Sequence, residues 1–119
     1  MSILIENGPL ALFFAFAIGH ALADYPLQGD YLARTKQRSN ASTVCEWLIA
    51  LTVHSLIHAG GVWLICGSVA FAYTEFVLHW LIDWGKGEGK YGYVADQVLH
   101  IACKVAYVIV LVAFPAAAA

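Results

Sequence analysis

Charge is what this chain has least of. Asp, Glu, Lys and Arg make up 12% of its 119 residues while 61% are hydrophobic, where a soluble domain is nearer half apolar and a quarter charged. That balance excludes an ordinary water-facing surface and points to lipid. Six basic residues against eight acidic ones, a net charge of −2, exclude a nucleic-acid partner. Cysteine is also scarce. Cys45, Cys66 and Cys103 form no CxxC pair and leave an odd one over, which excludes a disulfide framework and predicts free thiols. Nothing resembles a linker of useful length, so residues 1–119 are read as one transmembrane domain.

Four apolar stretches remain, over residues 9–25, 44–66, 69–84 and 93–114. Each is near the ~17–25 residues that cross a bilayer, the third at the short limit. Pro26 ends the first, since the residue before proline avoids helix. Gly67-Ser68 is the expected tight turn between the second and third, and Gly60-Gly61 is expected to allow close helix packing. The fold class predicted is all-α, a polytopic membrane four-helix bundle. Five of the six basic residues (Arg34, Lys36, Arg38, Lys86, Lys90) fall in the loops after spans one and three. The positive-inside rule makes those loops cytoplasmic and puts both termini outside, in a bacterial inner membrane. Trp47, Trp84, Tyr31, Tyr91 and Tyr93 flank the same ends as interfacial aromatics. Ala21-Leu22-Ala23 resembles a signal-peptidase site, but Glu6 and the absence of Lys or Arg ahead of span one argue against a secretory leader.

Polar residues inside the spans follow one rule. His20 and Asp24, His54 and His58, His79 and Asp83, and Asp96 and His100 are each spaced i, i+4. Four residues turn a helix by roughly 400°, so both side chains face one way a turn apart and can clamp one cation. Asp, Glu and His together number 13 of 119 residues, so a given histidine meets one at i−4 or i+4 about one time in five. All five doing so is on the order of one in a thousand by chance. Each ionisable group near a bilayer centre costs ~2.5–3.5 kcal/mol on insertion scales, so eight of them require a shared neutraliser. Divalent cations fill that role with neutral imidazoles and carboxylates as ligands.

The expected cofactor is therefore a divalent metal, zinc by ligand type, with about two ions in a bundle core. Three of the pairs lie in the cytoplasmic half under this topology; His54 and His58 lie deeper, as a floor. Glu75, four before His79, is a candidate bridging ligand or general base, and Lys104, four after His100, a candidate oxyanion or phosphate contact. Both also read as a buried ion pair. Gln28 and Gln97 lie close to ligand candidates, and residues 87–92 form a glycine-rich loop with the features of a lid.

His20-xxx-Asp24-Tyr-Pro-Leu-Gln, His54-xxx-His58, His79-xxx-Asp83 and Asp96-Gln-xx-His100 resemble a family of small bacterial and phage membrane proteins, over most of the chain. More distantly, the pairs His20 with Asp24 and His79 with Asp83 are similar to those of inner-membrane metal-dependent hydrolases and of the zinc phospholipase C and P1 nuclease class. The second likeness implies an all-helical zinc cluster. The chain is shorter, lacks that class's N-terminal tryptophan ligand, and has His54-xxx-His58 and Asp96-xxx-His100 in place of its pairs.

The function expected is a membrane-embedded hydrolase acting with two metals on a phosphoester or lipid-linked substrate at the cytoplasmic leaflet. Its partners would be the lipid bilayer and a lipid or phosphate-containing small molecule, with a homo-oligomer compatible. A metal or proton transporter also needs intramembrane His and Asp, but the outer halves of spans one, three and four are nearly all apolar. A phage or host membrane partner protein, as in superinfection exclusion, would hold its metal structurally, in a coordinatively closed site.

Overall fold

The computed structural model describes residues 6–118 and is all-helical, with no strand among them. Among the described residues five α-helices follow in order: α1 Pro9–Asp24, α2 Gly29–Thr35, α3 Val44–Cys66, α4 Val69–Gly87 and α5 Tyr93–Ala113, with 3-10 turns at Arg38–Asn40 and Pro115–Ala118. Local chemistry sets the boundaries. Pro9 occupies the first turn of α1, where its missing N–H costs nothing. Thr43 caps α3, its hydroxyl accepting from the Glu46 N–H at 3.0 Å, while the Glu46 carboxylate accepts from the Ser42 N–H at 2.6 Å. Gly67 ends α3 in the left-handed region at φ 75°, and Ser68 caps α4 in the next residue. The expected turn at Gly67-Ser68 is where it was placed.

α1 packs on α3 and α5, and α4 on the same two helices, the α3–α4 contact being the most extensive. The stretch between α1 and α3 is not the plain loop the sequence suggested. Three residues beyond Pro26, at Gly29, the chain re-forms as α2, bent by 85° from α1. α3 and α5 are each long and apolar enough to cross a membrane, which supports a membrane protein; α1 qualifies only when joined to α2 across the bend. α1 alone has 16 residues, or roughly 24 Å of rise against a ~30 Å hydrocarbon core. α4 reaches 19 residues, three beyond the expected end at residue 84. Glu75, Asp83 and Lys86 keep its composition from qualifying.

Burial is inverted relative to a soluble domain. The buried set holds 14 polar or charged residues against 13 hydrophobic ones, while Leu10, Phe14, Leu64 and Val94 stand two-thirds exposed or more. Polar inside and apolar outside is the arrangement a lipid solvent favours. Glycine placement corrects one expectation. A Cβ on Gly60 or Gly61 would meet nothing within 4 Å, whereas one on Gly19 would lie 3.0 Å from Ile65 Cδ1. The close approach of helices is therefore α1 on α3 at Gly19.

Thr43→Ala should lower stability by about 1 kcal/mol through the lost cap, and Gly67→Ala by about 1–2 kcal/mol because alanine resists the left-handed region. Denaturant unfolding in detergent reads both; wild-type stability in either variant would mean that helix end is set by packing instead.

Candidate metal centre

Each i, i+4 pair presents its two side chains to the interior, and the four helices bring all eight together. Asp24, His54, His58, His79, Asp83, Asp96 and His100 are buried, as is His20 at the rim. Asp24 gathers imidazoles from three positions: His58 Nε2 lies 3.0 Å and His54 Nε2 3.3 Å from its Oδ1, and His20 Nε2 3.2 Å from its Oδ2. Asp83 is the second hub, with His100 Nε2 at 2.9 Å from Oδ1 and His54 Nε2 at 3.3 Å from Oδ2. The His58 and His79 rings stack at 3.6 Å between centroids, and His79 stacks on His100 at 4.1 Å.

Two ligand sets emerge. One atom each from Asp24, His54, His58 and His79 lie within 4.8 Å of one another, as do atoms from His79, Asp83 and His100. His79 belongs to both. In tetrahedral zinc sites with ~2.0–2.1 Å bonds to nitrogen, ligand atoms sit roughly 3.3–3.4 Å apart, close to the separations found here. The proton arrangement argues the same way. His79 Nδ1 lies 3.3 Å from the Glu75 carboxylate, so the proton of a neutral ring belongs on Nδ1, donating to Glu75. That leaves the Nε2 lone pair turned inward, 3.2 Å from His54 Nε2 and 3.6 Å from Asp83 Oδ2. A divalent cation placed among these atoms would be within reach of all of them. The donor set therefore fits a divalent metal.

A family model matches residues 12–118. The chain belongs to that family, described as a protein of unknown function (DUF3307). The DUF3307 match includes every residue of the cluster. No curated protein and no solved structure matches the chain.

Of the remaining sequence candidates, Asp96 and His20 border the two sets. Gln97 ties them together, donating to Asp24 Oδ2 at 3.0 Å and Asp96 Oδ2 at 3.1 Å, with its Oε1 3.1 Å from His20 Nε2. Glu75 and Lys104 do not reach an opening. Lys104 Nζ donates to Glu75 Oε1 at 2.6 Å and the Tyr107 hydroxyl to Oε2 at 2.7 Å, all three buried behind His79. The buried ion pair is the arrangement found, and Glu75 meets the cluster only through His79. The glycine-rich loop does not cover the site either. Tyr91 folds back over Gly85 and its hydroxyl donates to the Ile82 carbonyl. Burial pushes the Tyr91 hydroxyl above its usual range, and Asp96 and Asp83 push it the same way.

The cation that sequence reasoning missed is Lys36. From the end of α2 its Nζ donates to Asp83 Oδ2 at 2.7 Å and lies 3.3 Å from His54 Nε2. No linear spacing signals this, because the lysine arrives by the 85° bend. Beside it a polar mouth of about 370 Å³ opens onto Asp24 and Gln97, with Gln28, Lys36, Lys86 and Tyr93 around it.

Asp83→Ala should cost about 3–5 kcal/mol, since it strands the Lys36 ammonium in a buried position. The double change Lys36→Met with Asp83→Leu should recover most of that loss. Unfolding in detergent micelles decides it; a single variant as stable as wild type would show that another group carries the Lys36 charge.

Proposed function

We propose that this protein is a membrane-embedded, metal-dependent hydrolase of a phosphoester or lipid-linked substrate, working at the cytoplasmic leaflet. The observation that carries the reading is the pair of ligand sets that share His79, one of which includes Asp24 in the lining of a polar opening. On this reading α1, α3, α4 and α5 are four spans of one domain in a bacterial inner membrane, with basic loops cytoplasmic and termini outside. The distant likeness to inner-membrane hydrolases and the zinc phospholipase C class points the same way.

Asp24, His54, His58 and His79 would hold one zinc-like ion, and His79, Asp83 and His100 a second. Two such ions would activate a water and stabilise the attacking and leaving oxygens of an in-line displacement. The chain's own groups do the rest. Glu75 holds the Nδ1 proton of His79, and the Lys104 ammonium and Tyr107 hydroxyl hold Glu75 in turn. His20, Asp96 and Gln97 fix the carboxylates around the opening, and Lys36 sits where charge would build on a bound oxyanion.

A transporter would need the polar groups to continue outward. Beyond Glu75 and Lys104 the Tyr107 ring enters an apolar cluster with Leu12, Phe16, Val62 and Leu111, which favours catalysis from one side. A purely structural site, as in a partner protein, would be closed to solvent, and the mouth over Asp24 argues against that.

Elemental mass spectrometry of detergent-purified protein should find about two transition-metal ions per chain, the complement of a two-metal site. Asp24→Ala should remove one, His100→Ala the other, and His79→Ala both, with phosphodiesterase or phosphomonoesterase activity lost in all three. Folded wild-type protein free of metal would sink the reading. Orientation has its own check. Exposed Cys45, beside the basic loop, should react with a membrane-impermeant maleimide only from the cytoplasmic side; labelling from outside would invert the topology.

A further inference from the structure

The polar mouth does not end at its rim. Tyr93 and Gln97 line it and also line a second hollow of about 580 Å³ that runs down the outer face of α5 past Val98, Ala102 and Val105. The two differ in character. The mouth brings together two lysines, three glutamine side chains and the Tyr25 and Tyr93 hydroxyls, which hydrogen-bond to each other. The hollow is walled by aliphatic side chains, with Val94 and Val98 exposed at 73% and 61%. One continuous surface therefore changes from charged and hydrogen-bonding to apolar within two turns of helix.

We propose that mouth and hollow together bind a membrane lipid whose head group ends in a phosphate, the head lying against Lys86 and Lys36 and one chain along α5. This names the substrate class for the hydrolase reading above and rests on it for chemistry, though not for binding.

Charge complementarity carries the head group. Lys86 is only a quarter exposed, 3.7 Å from Asp96 and 5.3 Å from the Tyr93 ring centroid, so its ammonium is held at the opening. Lys36 approaches from the other wall with its charge already desolvated. A phosphate meeting two partly desolvated ammoniums gains charge-assisted contacts that a neutral head cannot. The carboxylate of Asp24 also lines the mouth, but it is turned to His20, His54 and His58. Asp30 stands on the rim and sets a limit on how many negative charges the mouth accepts.

Position carries the chain. The bend of 85° lays α2 across the end of α1, beside the tyrosines at 25 and 93. That is the depth at which head groups meet acyl chains in a bilayer. An amphiphile entering sideways would thus set its phosphate over the cluster without leaving the membrane. A soluble phosphoester would use the mouth and leave the hollow to bulk lipid.

Native mass spectrometry of the full-length, metal-loaded protein in detergent tests this without turnover, using dioleoyl phosphatidate, dioleoylglycerol and glycerol 3-phosphate. Phosphatidate should be retained one to one and at least about tenfold more tightly than either fragment, the order expected of a charge-assisted contact. Lys86→Gln should abolish its advantage over dioleoylglycerol. Ala102→Trp, and Val105→Phe in case the larger residue disturbs folding, should abolish its advantage over glycerol 3-phosphate, with metal content unchanged. Equal retention of phosphatidate and dioleoylglycerol would overturn the proposal, as that is ordinary annular lipid. Equal retention of phosphatidate and glycerol 3-phosphate would also overturn it, by leaving a phosphate site with no place for a chain. Phosphatidate bound with this selectivity but never hydrolysed would refute the hydrolase reading alone.

Discussion

Carboxylates taken out of water must be neutralised where they lie, and the arrangement of this chain follows from how that is done. Asp24 is met by His20, His54 and His58, Asp83 by Lys36, His100 and the shared His54, and Asp96 by Gln97, His100 and Lys86. Each aspartate has at least one of those partners on another helix or on the bend after α1, so charge neutralisation and helix packing share contacts. Removing a partner leaves a bare charge in a low-dielectric interior, which costs more than any single apolar contact in the structure provides. With neutral histidines, the three aspartates exceed the two lysines that reach them. The imbalance is one negative charge, which a protonated imidazole or a bound cation would offset.

The apolar part of the fold is arranged around that demand. Large hydrophobic side chains line the outside, and the buried apolar cluster of Leu12, Phe16, Val62, Tyr107 and Leu111 occupies the end away from the mouth. α1 is too short to span a bilayer alone, and its bend into α2 is what brings Lys36 to Asp83. Length that would have continued a straight span is thus used to carry a cation back to the cluster.

Helix periodicity explains what the sequence revealed. An i, i+4 pair needs only one helix to be read correctly, so His20 with Asp24, His54 with His58, His79 with Asp83 and Asp96 with His100 were all legible, as were the ends set by Pro26 and Gly67. Contacts between elements were not. Lys36 depends on a bend angle, and the Gly19 contact with Ile65 on the crossing of α1 and α3. Gly60 and Gly61 carried the right composition for packing but face open space. Lys104 and Glu75 had the spacing of site residues, yet spacing does not tell a group that faces the opening from one that braces a ligand from behind. The three charges of α4 show the limit of hydropathy as well, since a helix facing a polar interior must carry them.

The order of polar groups along the interior bears on function more than their number does. From the mouth inward they run through Gln97 and Asp24 to the histidines, then through His79 to Glu75, Lys104 and the Tyr107 hydroxyl. The Tyr107 ring makes edge contacts with Phe16 and Phe71, and with them the polar path stops. A conducting path needs hydrogen-bonding groups or water on both sides of the membrane, and this run of polar side chains ends at an apolar cluster. That ending is the feature of the interior that favours the proposed hydrolysis at the mouth over ion transit.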